Sequence, residues 1–294
     1  MGCGVSAHWI QKILRCIALV LPLGSRGMPD IFRRHNVRIF GEGTQPMLFA
    51  HGFGCDQNMW RWITPAFERD YKIVLFDYVG CGKSDLTAYD PKRYGSLDGY
   101  AQDVLEICAA AELKDVIFVG HSVSGVVGVL AANREPERFE RLVLVAPSAS
   151  YINEPPDYVG GFDRADIEGL LEMMDKNYLG WASFLAPAVM KNPDRPELKE
   201  ELEQSFCATD PKIARRFAEV TFLSDNRADL AQAKVPALIM QCSDDSIAPI
   251  EAGRYMEARM PRSTFRQMQA VGHCPHMSHP DETIAVIREY LHAA

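Results

Sequence analysis

The chain has 294 residues, 47% of them apolar and 24% charged, with a formal net charge of −8. That length accommodates one large domain, or a core carrying an insertion, with a sizeable interior. The acidic balance lacks the basic footprint of a nucleic-acid binder, and no apolar run reaches transmembrane length.

Residues 1–27 read as an N-terminal extension to the domain. Trp9, Ile10, Ile13, Leu14, Ile17, Val20 and Leu21 keep helical spacing, with Gln11, Lys12 and Arg15 opposite, until Pro22 intervenes. The pattern fits an amphipathic helix that contacts a membrane peripherally or docks on the domain. The plain alternative is that translation begins at Met28. Arg15 breaks the apolar run and no Ala-x-Ala site follows, which argues against a secretory signal. Met1-Gly2-Cys3-Gly4-Val5-Ser6 matches the N-myristoylation pattern, with Cys3 as a palmitoyl site. Acylation of Gly2 and Cys3 would bring an otherwise cytoplasmic protein to a membrane. The eight cysteines (Cys3, Cys16, Cys55, Cys81, Cys108, Cys207, Cys242, Cys274) form no Cys-x-x-Cys pair. That usage suits a reducing compartment better than a disulfide framework.

From Met28 an α/β rhythm begins. Val37–Phe40 and Met47–Ala50 read as strands, the second running into His51-Gly52-Phe53-Gly54. Asn58 to Phe67 reads as a helix despite Pro65, and Lys72–Phe76 as the next strand. Ser96 is placed to cap a helix whose apolar face is Leu97, Tyr100, Val104, Leu105 and Cys108. Val116-Ile117-Phe118-Val119 is a buried strand that runs into Gly120-His121-Ser122-Val123-Ser124-Gly125, and Leu142–Ala146 is another strand. Continuous apolar strands alternating with helices predict a parallel sheet covered on both faces.

The rhythm stops over residues 151–228, which hold helical stripes and no strand pattern. Ile167, Leu170, Leu171, Met174 and Tyr178 make one stripe, Leu198, Leu202 and Phe206 a second, and Ile213, Phe217, Val220 and Thr221 a third. Such a block reads as a helical lid over the carboxyl ends of the strands. Residues 28–150 and 229–294 are then the core. The alternation resumes with strand Ala237–Gln241, Asp244-Asp245, a helix from Pro249 to Met260, strand Thr264–Met268, Gly272-His273-Cys274-Pro275-His276 and a closing amphipathic helix.

Three loops just past strands carry Ser122, an aspartate and His273, in the chain order of a Ser–Asp–His hydrolase. A serine hydroxyl is a poor nucleophile until a neutral imidazole takes its proton, and a carboxylate holds that imidazole in the required tautomer. The plain reading of Gly-x-Ser is a strand-to-helix turn capped by serine, and the usual fifth-position glycine is here Ser124. Asp244 and Asp245 compete for the acid role. The backbone N–H groups of Val123 and Phe53 are the candidate oxyanion donors. His273, His276 and His279 have a metal-like spacing, but Pro275 and Pro280 argue against a regular helix there, so no metal site is expected. Asp77-x-x-Gly-x-Gly-x-Ser84 lacks the Gly-Lys-Ser/Thr of a phosphate loop and reads as a tight turn.

His51-Gly52-Phe53-Gly54-Cys55-Asp56-Gln57, Asp77-Tyr78-Val79-Gly80, Gly120-His121-Ser122-Val123-Ser124 and Gly272-His273-Cys274-Pro275-His276-Met277-Ser278 resemble the RsbQ-type subgroup of α/β-hydrolases. The similarity runs from about residue 30 to the C-terminus and includes Asn177-Tyr178, Gly180-Trp181 and Asp194-Arg195-Pro196. The subgroup is similar to the plant karrikin and strigolactone receptor hydrolases, which share Gly-His-Ser-Val-Ser. The resemblance implies an α/β-hydrolase fold with a mostly parallel, eight-stranded-type sheet, a four-helix V-shaped lid over a hydrophobic pocket, and Asp245 as the acid. It implies a cofactor-free esterase or lactonase acting on a small hydrophobic molecule. It also implies a stress-signalling role with a PP2C-type phosphatase partner, in which ligand sensing rather than turnover is the alternative. A cofactor-free peroxidase or carbon–carbon bond hydrolase would use the same triad.

Overall fold

The computed structural model describes residues 30–293. The amphipathic pattern and acylation motif of residues 1–27 lie outside the described residues. Seven strands make one sheet: β1 (Arg38–Phe40), β2 (Pro46–Ala50), β3 (Lys72–Leu75), β4 (Val116–His121), β5 (Phe139–Val145), β6 (Ala237–Gln241) and β7 (Ser263–Gln267). Their order is β1-β3-β2-β4-β5-β6-β7, with β1 antiparallel to β3 and every other pair parallel. The expected eight-stranded-type sheet thus has seven strands among the described residues. Ahead of β1 in the chain stands a short helix, α1 (Asp30–Arg34).

Strands β2, β4 and β6 are buried at every position, which is why they read as continuous apolar runs. Successive side chains alternate between the two faces and feed two cores. Leu48, Phe118, Leu142 and Ile239 pack with α2 (Leu97–Ala110), α3 (Val123–Arg134) and α8 (Ile250–Arg259). Met47, Val119, Val143 and Leu238 pack with Trp60, Phe67 and the closing helix α10 (Pro280–His292). The short α9 (Pro275–Ser278) precedes it.

Between β5 and β6 lie four helices: α4 (Arg164–Lys176), α5 (Tyr178–Met190), α6 (Pro196–Ala208) and α7 (Pro211–Phe222). Ile167, Leu171 and Met174 of α4, all three stripe residues of α6, and Phe217, Val220 and Thr221 of α7 are buried, whereas Leu170 and Ile213 are half-buried and Tyr178 opens α5. The helix read over Asn58–Phe67 is instead two 3-10 turns, Gln57–Trp60 and Thr64–Ala66. Asp56 caps the first by accepting the Asn58 N–H, and Pro65 sits in the opening turn of the second, so no continuous helix forms. Ser96 precedes α2, but its hydroxyl bonds the Asp98 carboxylate rather than the helix end.

Burial sets an acid limit on the fold. His35, His51, His121 and His276 are buried, and desolvation holds each imidazole below its usual range, His35 at about 4 and His276 at about 3. Their contribution is full above the unfolded value of 6.5 and is lost as pH falls toward their folded values. Asp103 opposes them, because burial pushes its carboxyl up to about 7. Its contribution is present below the ordinary 3.8 and is lost as pH rises through 7. Four imidazoles outweigh one carboxyl. Urea unfolding at pH 5 is expected to give a stability at least about 2 kcal/mol below that at pH 7.5. An unchanged midpoint would contradict this account of the buried histidines.

Candidate active site

Strand β4 ends at His121 and helix α3 begins at Val123, so the whole strand-to-helix turn is one residue, Ser122. Its backbone sits at φ 57°, ψ −124°, a region that L-residues rarely occupy and that surrounding structure must hold. Two bonds do so: the Ser122 N–H donates to the Val145 carbonyl of β5 at 2.8 Å, and its own carbonyl accepts the Gly125 N–H at 2.9 Å. Gly120 allows this close approach, since a Cβ there would lie 2.5 Å from the Ser124 carbonyl oxygen.

The Ser122 Oγ lies 2.7 Å from His273 Nε2, and His273 Nδ1 lies 2.7 Å from Asp245 Oδ2. Both partners sit in loops past the carboxyl ends of β7 and β6. The other Asp245 oxygen accepts the N–H groups of Ile247 and Ala248 at 2.8 and 3.2 Å. That carboxylate is fully buried, whereas Asp244 points outward to an ion pair with Lys191 at 2.6 Å. The structure therefore brings Asp245, not Asp244, to His273. His279 bonds the Ser278 hydroxyl, and His276 is buried against Trp60, so His273, His276 and His279 do not share a site. The prolines expected to prevent helix here instead start two, Pro275 in α9 and Pro280 in α10, because the first turn needs no proline N–H.

Val123 opens α3, so its N–H is among those with no partner inside the helix. Gly52 lies against Ser122, with a virtual Cβ 3.4 Å from the serine Cβ, and this brings the Gly52-Phe53 loop beside the hydroxyl. Ser124 explains its place in the elbow: its hydroxyl donates to the His51 carbonyl and meets the Tyr78 hydroxyl at 3.0 Å. The His51 ring accepts the Tyr78 N–H through Nε2 and bonds the Gly52 carbonyl through Nδ1, so elbow and Phe53 loop are tied together. Asp77 accepts from Asn36, Gln57 and Lys83, so its loop is a turn built around a carboxylate.

The chain matches the alpha/beta hydrolase family over residues 47–286. It belongs to that family. It is similar to the karrikin insensitive 2 receptor CA of Petunia hybrida, with 36% identity over 259 residues, covering 88% of this chain and 96% of that protein. It is also similar to a strigolactone esterase of Pisum sativum, with 35% identity over 246 residues, covering 83% of this chain and 92% of that protein. Among solved structures, a hydrolase from Oleispira antarctica superposes with a TM-score of 0.88 at 45% identity, covering 90% of this chain and 97% of that one.

In this α/β-hydrolase, Ser122 and His273 open onto a cavity of about 30 Å3. Its walls come from Phe53, from α5 (Leu185, Val189), α6 (Leu202, Phe206) and α7 (Thr221, Phe222). Two residues that sequence reasoning passed over stand out. The Tyr151 hydroxyl lies 3.3 Å from Ser122 Oγ, and its burial raises its pKa. Thr221, read only as part of a core stripe, has a buried Oγ with no partner at the cavity wall. Neither position carries a motif; a hydroxyl on an otherwise apolar helix face was the one available signal. Among the described residues no helix is long and apolar enough to cross a membrane.

Proposed function

We propose that the chain is a serine hydrolase that cleaves small, mostly apolar esters or lactones through an acyl-enzyme. The observation that carries this is the unbroken line Asp245–His273–Ser122, with both contacts at 2.7 Å. The Asp245 carboxylate keeps the His273 proton on Nδ1, which leaves Nε2 free to accept the Ser122 proton as Oγ attacks the carbonyl. The N–H groups of Val123 and Phe53 receive the oxyanion. His273 then protonates the leaving alcohol, or the ring oxygen of a lactone, and activates the water that frees the acid. Helices α4 to α7 act as the lid. A cavity of 30 Å3 holds roughly one or two waters, so a substrate enters only when the lid helices part from Phe53.

The test is hydrolysis of a p-nitrophenyl ester series. Activity is expected on acetyl and butyryl chains, with a steep decline for long acyl chains. Absence of any turnover would overturn the reading. Within it, the unpartnered Thr221 hydroxyl suits a substrate with a polar oxygen away from the reacting carbonyl. Thr221→Val is expected to raise KM about 5-fold or more for an alkoxy-substituted ester, while leaving the unsubstituted ester near wild type. Equal effects on both would remove Thr221 from recognition.

A second reading is favoured by the small cavity and by relatives named as receptors. Here ligand occupancy, with slow or single turnover, shifts the lid and presents a surface to a partner such as a PP2C-type phosphatase. Fast multiple turnover without ligand-dependent complex formation would count against it.

A further inference from the structure

We propose that the cleft beside α6 is the mouth of the substrate site, and that Leu202 is the gate between this mouth and Ser122. The cleft, of about 230 Å3, lies between α6 and the turn at residues 55–59, with Met277 of α9 on its wall. Cys55 and Leu202 line it and also line the cavity at Ser122, so these two buried side chains stand as the partition between the spaces. A cavity of 30 Å3 is far below the about 300 Å3 at which small-molecule sites begin, and the cleft supplies most of the difference. Helical spacing gives α6 two working edges. Leu202 and Phe206, four residues apart, are on the cavity wall, while Glu201 and Ser205, also four apart, stand on the cleft. Glu201 accepts two N–H groups of Arg61 at 2.6 Å each, and the Ser205 hydroxyl donates to the Gly54 carbonyl at 2.7 Å. Phe206 presses on Gly54, where a Cβ would lie 2.3 Å from its ring. Those ties hold Leu202 in the partition.

The ties are of a kind that yields. The Arg61 and Glu201 side chains are 29% and 35% exposed, and ion pairs that meet water contribute little. The Ser205 hydroxyl exchanges a carbonyl for water at small net cost. When α6 shifts, Leu202 leaves the partition and the two spaces join. Apolar side chains flank the partition, Met59 and Met277 on the cleft side and Val189 and Phe206 on the other. The tail that crosses it is therefore unbranched, uncharged hydrocarbon. A short acyl chain needs a smaller displacement of α6 than an octanoyl chain, whose tail reaches into the cleft and leaves the ties broken. Leu202 thus sets the decline of activity with acyl length. That consequence rests on the hydrolytic reading, while the passage itself does not.

The experiment compares two leucine truncations of equal size in the full chain. Leu202→Ala is expected to raise the octanoate-to-butyrate ratio of kcat/KM for p-nitrophenyl esters by at least about 10-fold. Leu185→Ala enlarges the same cavity without opening the cleft, and is expected to change that ratio by less than about 3-fold. Calorimetric binding of octanamide, which needs no turnover, is expected to tighten by at least about 10-fold in Leu202→Ala alone. A chain that hydrolyses no ester would strike the hydrolytic reading, and octanamide would still decide on the gate. Should Leu202→Ala fail to fold, the mouth is blocked instead. Gln204→Cys, with Cys3, Cys16 and Cys207 changed to Ser, carries fluorescein maleimide into the cleft. Labelling is expected to lower kcat/KM for the butyrate and the affinity for octanamide by at least about 10-fold, while the same label at Glu172→Cys on α4 changes both by less than about 2-fold. Equal ratio changes in the two alanine variants, octanamide bound no tighter by Leu202→Ala, or a labelled mouth with undiminished activity and binding would each overturn the proposal.

Discussion

Ser122→Ala is expected to lower kcat on a short p-nitrophenyl ester by at least about 10^3-fold with folding intact. The loss follows from position. Ser122 is the only residue between β4 and α3, and its Oγ is the atom 2.7 Å from His273 Nε2. Alanine keeps the same backbone, including the positive φ, so the elbow and its bonds to Val145 and Gly125 persist. The residual rate reports what the oxyanion donors and binding supply without a nucleophile. Thermal unfolding of the variant is the control. A folded variant with undiminished rate would remove Ser122 from the chemistry.

Asp245→Asn is expected to cost about 10^4-fold in kcat, while Asp244→Asn leaves it within about 2-fold of wild type. Geometry makes the first change severe. Asp245 Oδ1 is held by the N–H groups of Ile247 and Ala248, so an asparagine there keeps its carbonyl toward those donors. Its amide NH2 then faces His273 Nδ1 and forces the ring proton onto Nε2, where it can no longer accept from Ser122. Asp244 has only an exposed contact with Lys191 to lose. Equal effects from the two substitutions, measured by steady-state kinetics, would mean that the acid has been assigned to the wrong residue.

The sheet was legible because a parallel sheet covered on both faces leaves its strands few polar positions: β2 is apolar throughout, and β4 and β6 are free of polar side chains until their last residues, His121 and Gln241. The serine was legible because it follows such a strand directly, and the histidine because it lies in the loop past the last strand, β7. The acid was not, since Asp244 and Asp245 occupy the same loop. Resemblance pointed to Asp245, and what separates them physically is which one meets two backbone N–H groups. Three of the four helices between β5 and β6 declared themselves by stripes. Helix α5 did not, because it is apolar on both faces, with Trp181 and Leu185 inside and Leu179 and Phe184 outside. The segment Asn58–Phe67 misled in the opposite way, since its helical look comes from two short turns that Asp56 and Pro65 keep apart. Tyr151 and Thr221 reach the serine and its cavity only through packing.

The most direct measurement is intact and peptide mass spectrometry of the chain after exposure to a β-lactone or a p-nitrophenyl phosphonate. One adduct per molecule is predicted, on the peptide containing Ser122, and absent from His273→Ala at the same exposure. An unmodified chain, or an adduct carried on any other residue, would contradict the account.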